Sequence, residues 1–196
     1  TLFIRSRRVS DALYPLIAEG RLTVDEVGRQ RILQAAFASG IAMSEADAAR
    51  FQQCYRASQY DASLSPGMRD LLERLVHSQV TIGILTNGPA EHQRRKIEGL
   101  ALNRWFAPDH IFISGAIGLQ KPDPRAFWHV QEALRLKPEA TWYIGDSPSC
   151  DVKGALDAGW LMVFFNRRDH AASLCPDVTI TTEEALIAWI TKAIAQ

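Results

Sequence analysis

Five short apolar runs, alternating with helix-like stretches, constrain this chain more than any other feature of its sequence. They lie at residues 80–85, 111–113, 142–144, 161–165 and 178–180. The first of them, Val-Thr-Ile-Gly-Ile-Leu, has no polar alternation and so reads as a strand buried on both faces. Ser65-Pro66-Gly67 opens a helix that runs through Leu75 and Val76. Further helices are expected after Pro89, after Pro124, from about Asp151 to Gly159, and after a cap at Thr182. Such alternation predicts an open parallel α/β sheet with right-handed crossovers. Ligands of these sheets bind outside the carboxyl ends of the strands, which is where chemistry should be sought.

Residues 4–60 read differently. Leu13, Leu16 and Ile17, then Val27, Ile32, Leu33 and Phe37, then Phe51 and Tyr55 recur at helical spacing with no strand between them. Thr23 precedes Asp25 and Glu26, and Ser44 precedes Glu45 and Asp47, as N-caps precede first-turn acids. A small helical module is expected here. Lys plus Arg and Asp plus Glu both number 22, so no global positive field exists to attract nucleic acid. Arg5, Arg7 and Arg8 form one basic spot, which reads first as a solvated helix face and second as a phosphate grip. No apolar run is long enough to span a membrane. Cys54, Cys150 and Cys175 form no C-x-x-C pair, so neither a disulfide framework nor a zinc site is expected, and the expected location is the cytoplasm.

Three segments place polar groups at expected strand ends. Thr86-Asn87-Gly88-Pro89 follows the first strand and opens a helix, where a hydroxyl and backbone N–H groups can hold an anion or simply cap the helix. Lys121-Pro122-Asp123-Pro124 holds a lysine whose direction the two prolines restrict. Gly145-Asp146 through Asp151 puts one carboxylate at a strand tip and a second across a tight loop, a donor set suited to Mg²⁺. No G-x-G-x-x-G follows any strand, which disfavours a dinucleotide-binding domain.

Taken in order, Ile84-Leu85-Thr86-Asn87-Gly88, Lys121-Pro122-Asp123-Pro124 and Gly145-Asp146 through Asp151 resemble the second, third and fourth motifs of the haloacid dehalogenase (HAD) superfamily. The resemblance implies a Rossmann-like parallel sheet core over residues 1–3 and 61–196, with residues 4–60 as the helical cap of subclass I. It implies that Thr86 binds a phosphoryl group with help from the Asn87 backbone, and that Lys121 offsets charge on nucleophile and phosphate. Asp146 would bind Mg²⁺, and Asp151 would hold a metal-bound water or position Lys121. The implied reaction is Mg²⁺-dependent hydrolysis of a small phosphorylated metabolite through an aspartyl-phosphate. A 2-haloacid dehalogenase and a non-catalytic binding member are the alternatives.

The family's first motif, D-x-D-x-T-[LF], supplies the attacking aspartate, and no two aspartates here stand two positions apart. Thr1-Leu2-Phe3 resembles the tail of that motif. The expectation is that the nucleophile and the central strand before it lie outside these 196 residues, that further residues are missing between Phe3 and Leu13, and that a polypeptide beginning at Thr1 is poorly stable.

Overall fold

A computed structural model describes residues 1–170 and 174–195, apart from the side chains of Tyr14 and Ala18. The chain divides into two compact units, Thr1–Asp61 and Ala62–Gln196. The first contains α1 (Leu2–Ala18), α2 (Val24–Phe37) and α3 (Glu45–Ser58). Thr23 and Ser44 each close a capping box, with Glu26 and Asp47 reaching back to the cap backbone. Small side chains let the helices approach: Ala35, Ala36 and Ala48 are fully buried beside Val27 and Ile32. Phe37 and Phe51, which the periodicity places in the core, are exposed instead. Residues 1–3, expected with the α/β core, belong to this helical unit. The Thr1 hydroxyl accepts from the Ile4 N–H and so caps α1.

The second unit holds α4 (Pro66–His77), β1 (Ile84–Thr86), α5 (Ala90–Gly99), β2 (Ile111–Ile113), α6 (Ser114–Ile117), α7 (Pro124–Leu134) and β3 (Trp142–Gly145). A π-helical turn, Pro148–Val152, leads into α8 (Lys153–Asp157), and β4 (Leu161–Phe165), β5 (Val178–Ile180) and α9 (Glu183–Ala193) complete it. All strand pairs are parallel. Side-chain alternation along β4 sorts the core into two layers. Met162 and Phe164 pack with Phe127 and Val130 of α7 and Ala155 of α8, whereas Val163 packs with Leu71 and Leu75 of α4 and Leu186 and Ile190 of α9. Helices thus cover both faces, as a parallel sheet requires.

One expectation is corrected by pairing. The strand expected over 80–85 is observed only at Ile84–Thr86, and Val80 is exposed. β1 pairs with β2 alone, in the register Ile84↔Ile111 to Thr86↔Ile113, so its length is set by its three-residue partner. Strand order is accordingly β1-β2 in one sheet and β3-β4-β5 in another. Among the described residues, β1 and β3 each have a backbone strand partner on one side only.

Candidate active site

Three segments converge at the carboxyl ends of β1 and β3, and a buried lysine is at their centre. Lys121 Nζ donates to Asp151 Oδ1 at 2.7 Å and to the Tyr143 hydroxyl at 2.8 Å. Both charged side chains are nearly sealed, with relative exposures of 10% and 6%. The Tyr143 hydroxyl also donates to the Leu85 carbonyl at 3.1 Å, tying β3 to β1 through a side chain. Burial opposes charge on Lys121, but Tyr143 and Asp151 outweigh it and hold the ammonium above the ordinary lysine range. Burial pushes the Tyr143 phenol up as well, so at neutral pH it is a neutral hydrogen-bond partner beside a cation.

Asp151 is fully committed to this network. Its second oxygen accepts from the Asp146 and Ser147 N–H groups, both at 3.0 Å. The π-helical turn brings the carboxylate back over Gly145, where an added Cβ would lie 2.5 Å from Asp151. Asp151 therefore orients Lys121. Asp146, at the tip of β3, has a half-exposed side chain paired with Arg168. Among the described residues no three His, Cys, Asp or Glu side chains converge as a metal cluster. Mg²⁺ needs only one or two protein carboxylates. Asp146, a hard oxygen donor that still meets solvent, fits as one of them. Asp151 does not, because Lys121 Nζ occupies its Oδ1 and the Asp146 and Ser147 N–H groups occupy its Oδ2.

Thr86 closes β1 in a partly buried position. The Asn87 side chain does something the sequence did not suggest. Its Nδ2 donates to the Lys121 carbonyl at 2.7 Å and its Oδ1 accepts from the Lys121 N–H at 3.0 Å. This two-point clasp fixes the lysine backbone to the end of β1, and the Lys121–Pro122 peptide is cis. The loop after Asn87 rests on α6: the Gly88 N–H donates to Ser114 Oγ and the Gly115 N–H to the Gly88 carbonyl. An added Cβ at Gly115 would meet that carbonyl at 2.7 Å. Tyr143 and Arg168 were also not singled out from sequence. A tyrosine within an otherwise apolar run was the available signal for the first; Arg168 offered none, being 22 residues from its partner.

A family model described as haloacid dehalogenase-like hydrolase matches residues 12–159. A phosphoserine phosphatase of Thermus thermophilus is 36% identical over 103 residues, covering 52% of this chain and 41% of that protein. A glyceraldehyde 3-phosphate phosphatase of Pyrococcus furiosus is 35% identical over 106 residues, covering 54% and 43%. The matches thus span about two fifths of these relatives' own lengths. A crystal structure of the HAD-hydrolase YfnB of Bacillus subtilis, bound to magnesium, superposes with a TM-score of 0.71 at 27% identity, over 96% of this chain and 82% of that one. A dehalogenase structure superposes at 0.72 with 16% identity over 100% and 84%, a likeness of fold alone.

Proposed function

The chain belongs to the haloacid dehalogenase-like hydrolases, and on that premise we propose that its complete form hydrolyses a small phosphomonoester with Mg²⁺ through an aspartyl-phosphate. The observation that carries this reading is the ammonium of Lys121, held charged and aimed by Asp151 and Tyr143. Phosphoryl transfer depends chiefly on positioning and on stabilising negative charge spread over oxygens. A cation pre-oriented in a nearly sealed site supplies that without reorganising.

In this reading the Thr86 hydroxyl and the helix start after Pro89 hold the phosphoryl oxygens. The given sequence has no D-x-D, so this reading assigns the attacking carboxylate to none of its 196 residues. Mg²⁺, when bound, neutralises charge on the phosphoryl group, and Asp146 is the residue of this chain that would hold it. Asn87 keeps Lys121 in place. The helical unit would act as a cap that selects the substrate. The phosphatase relatives support a phosphorylated metabolite over a haloacid.

The test is turnover of the complete protein on phosphoserine, glyceraldehyde 3-phosphate, phosphoglycolate and sugar phosphates. Hydrolysis that requires Mg²⁺ and collapses in Asp146→Ala and Lys121→Met is the expected result. Undiminished hydrolysis in excess EDTA, or in Lys121→Met, contradicts the assignment.

A further inference from the structure

The loop that follows β4 holds an arginine against the tip of β3. Gly145 of β3 stands level with Phe164 of β4, so Asp146 and residues 166–168 leave the sheet side by side at its carboxyl end. The Asn166 N–H donates to the Ile180 carbonyl of β5 at 2.7 Å. The Asn166 side chain then closes the loop, its Oδ1 accepting from the His170 N–H at 2.9 Å and its Nδ2 donating to the His170 carbonyl at 3.0 Å. Arg168 belongs to this closed turn. Its Nη2 donates to Asp146 Oδ2 and approaches the Asp146 carbonyl at 3.4 Å. The two partners differ in burial: the Arg168 side chain is 11% exposed and that of Asp146 56%. Among the described residues the other carboxylate oxygen of Asp146, Oδ1, has no partner.

An ion pair between two exposed side chains contributes little, because both partners give up freedom to hold one geometry. This pair differs on the arginine side: a covered guanidinium, carried by a loop that side-chain hydrogen bonds close, has little freedom left to lose. Arg168 can act in two ways on a cation that approaches Asp146 from solvent, and the two have opposite signs. It can hold the carboxylate ready, which favours the cation, or its charge can oppose the cation. Asp146 has little need of the first. Its backbone N–H already donates to Asp151 Oδ2 at 3.0 Å, and so short a side chain loses little rotamer freedom when it is fixed. The second is strong for a divalent ion, since repulsion between a guanidinium and Mg²⁺ scales with the product of their charges and doubles that of two monovalent cations at the same separation. Opposition therefore outweighs support.

We infer that Arg168 is a positioning residue that sets the affinity of the site for Mg²⁺: its guanidinium competes with the metal for the Asp146 carboxylate and keeps metal binding weak. The inference rests on the reading of Asp146 as a Mg²⁺ ligand in the proposed phosphatase. It gives a role to a residue that no sequence motif marks. It also separates the two carboxylates of the loop after β3 by their cations. Lys121 is the standing partner of Asp151, whereas Arg168 is the partner whose charge Mg²⁺ must overcome at Asp146.

The test measures Mn²⁺ binding to the complete protein from the electron paramagnetic resonance signal of the free ion, so that no turnover is needed. Arg168→Gln and Arg168→Met both remove the charge, and the second keeps an apolar stem, so the reading does not depend on the folding of one variant. Each should bind Mn²⁺ about fivefold more tightly, the upper end for a partly exposed charge pair, while Arg168→Lys, which keeps the charge, should stay within about twofold of the unsubstituted protein. A damaged fold weakens metal binding and cannot produce the tightening. Asp146→Ala is the control for the metal site. Loss of Mn²⁺ binding in Asp146→Ala together with unchanged or weaker binding in Arg168→Gln and Arg168→Met overturns the inference alone, as does equal tightening in Arg168→Lys. Mn²⁺ bound with full affinity by Asp146→Ala overturns the assignment of Asp146 as a metal ligand, and the inference with it.

Discussion

Replacing Asp151 by alanine should be among the most damaging single changes in the α/β unit, and the structure gives the size of the effect. The substitution strands the Lys121 ammonium, 10% exposed, with the Tyr143 hydroxyl as its remaining side-chain partner, and removes the acceptor from the Asp146 and Ser147 N–H groups. Breaking a buried ion pair from one side costs about 3–5 kcal/mol. Lys121→Met should cost less, about 1.5–3 kcal/mol, because the carboxylate left behind keeps its two backbone donors. The double variant should be more stable than Asp151→Ala alone, since removing the lysine removes the stranded charge. All five tryptophans, Trp105, Trp128, Trp142, Trp160 and Trp189, lie in the α/β unit, so urea unfolding of the complete protein followed by their fluorescence reports on that unit. With an m-value of about 2 kcal/mol/M, Asp151→Ala should move the midpoint down by about 1.5–2.5 M. The Lys121 pKa is raised above the ordinary lysine range, so the stability it contributes is complete below the unfolded value and is lost only as pH rises through the higher folded one. In the unsubstituted protein, titration from pH 6 to 9 should leave this contribution unchanged. A double variant as unstable as the sum of the singles would refute the reasoning.

Three further outcomes can be checked. Asn87→Ala removes both hydrogen bonds to the Lys121 backbone and should cost about 1–3 kcal/mol, with weaker binding of inorganic phosphate in calorimetry. Gly145→Ala puts a methyl 2.5 Å from the Asp151 carboxyl and should cost about 1–3 kcal/mol in the same urea assay; a neutral effect would mean that the turn can relax. Glu26 has its pKa held below the ordinary carboxylate range, first by the Thr23 N–H and then by the Thr23 hydroxyl, so its contribution is full above the unfolded value and is lost as pH falls through the lower folded one. Helicity followed by circular dichroism through that window should fall less steeply in Glu26→Gln; identical acid curves would rule out the capping box as a source of acid sensitivity.

The sequence by itself determined the alternation of strand and helix after Asp61, the capping of α2, α3, α4 and α9, and the segments that meet at the site. These are local properties: turn and cap chemistry act over three or four residues, and buried parallel strands need apolar runs wherever they occur. Packing across the chain settles which of several chemically possible partners each polar group takes. Asp151 could cap a helix, meet a metal or hold a lysine; a π-helical turn over Gly145 turns it toward Lys121, 30 residues away in sequence. Asn87 could cap the helix after Pro89; it instead clasps the Lys121 backbone. β1 covers three residues, as its partner does, although all six residues of 80–85 have strand-like composition. In the helical unit, Phe37 and Phe51 have the spacing of core residues and are exposed, whereas Arg31 has the charge of a surface residue and is buried. Periodicity assigns faces to one helix at a time, while burial depends on which neighbour covers each face, and that is fixed by packing across the chain.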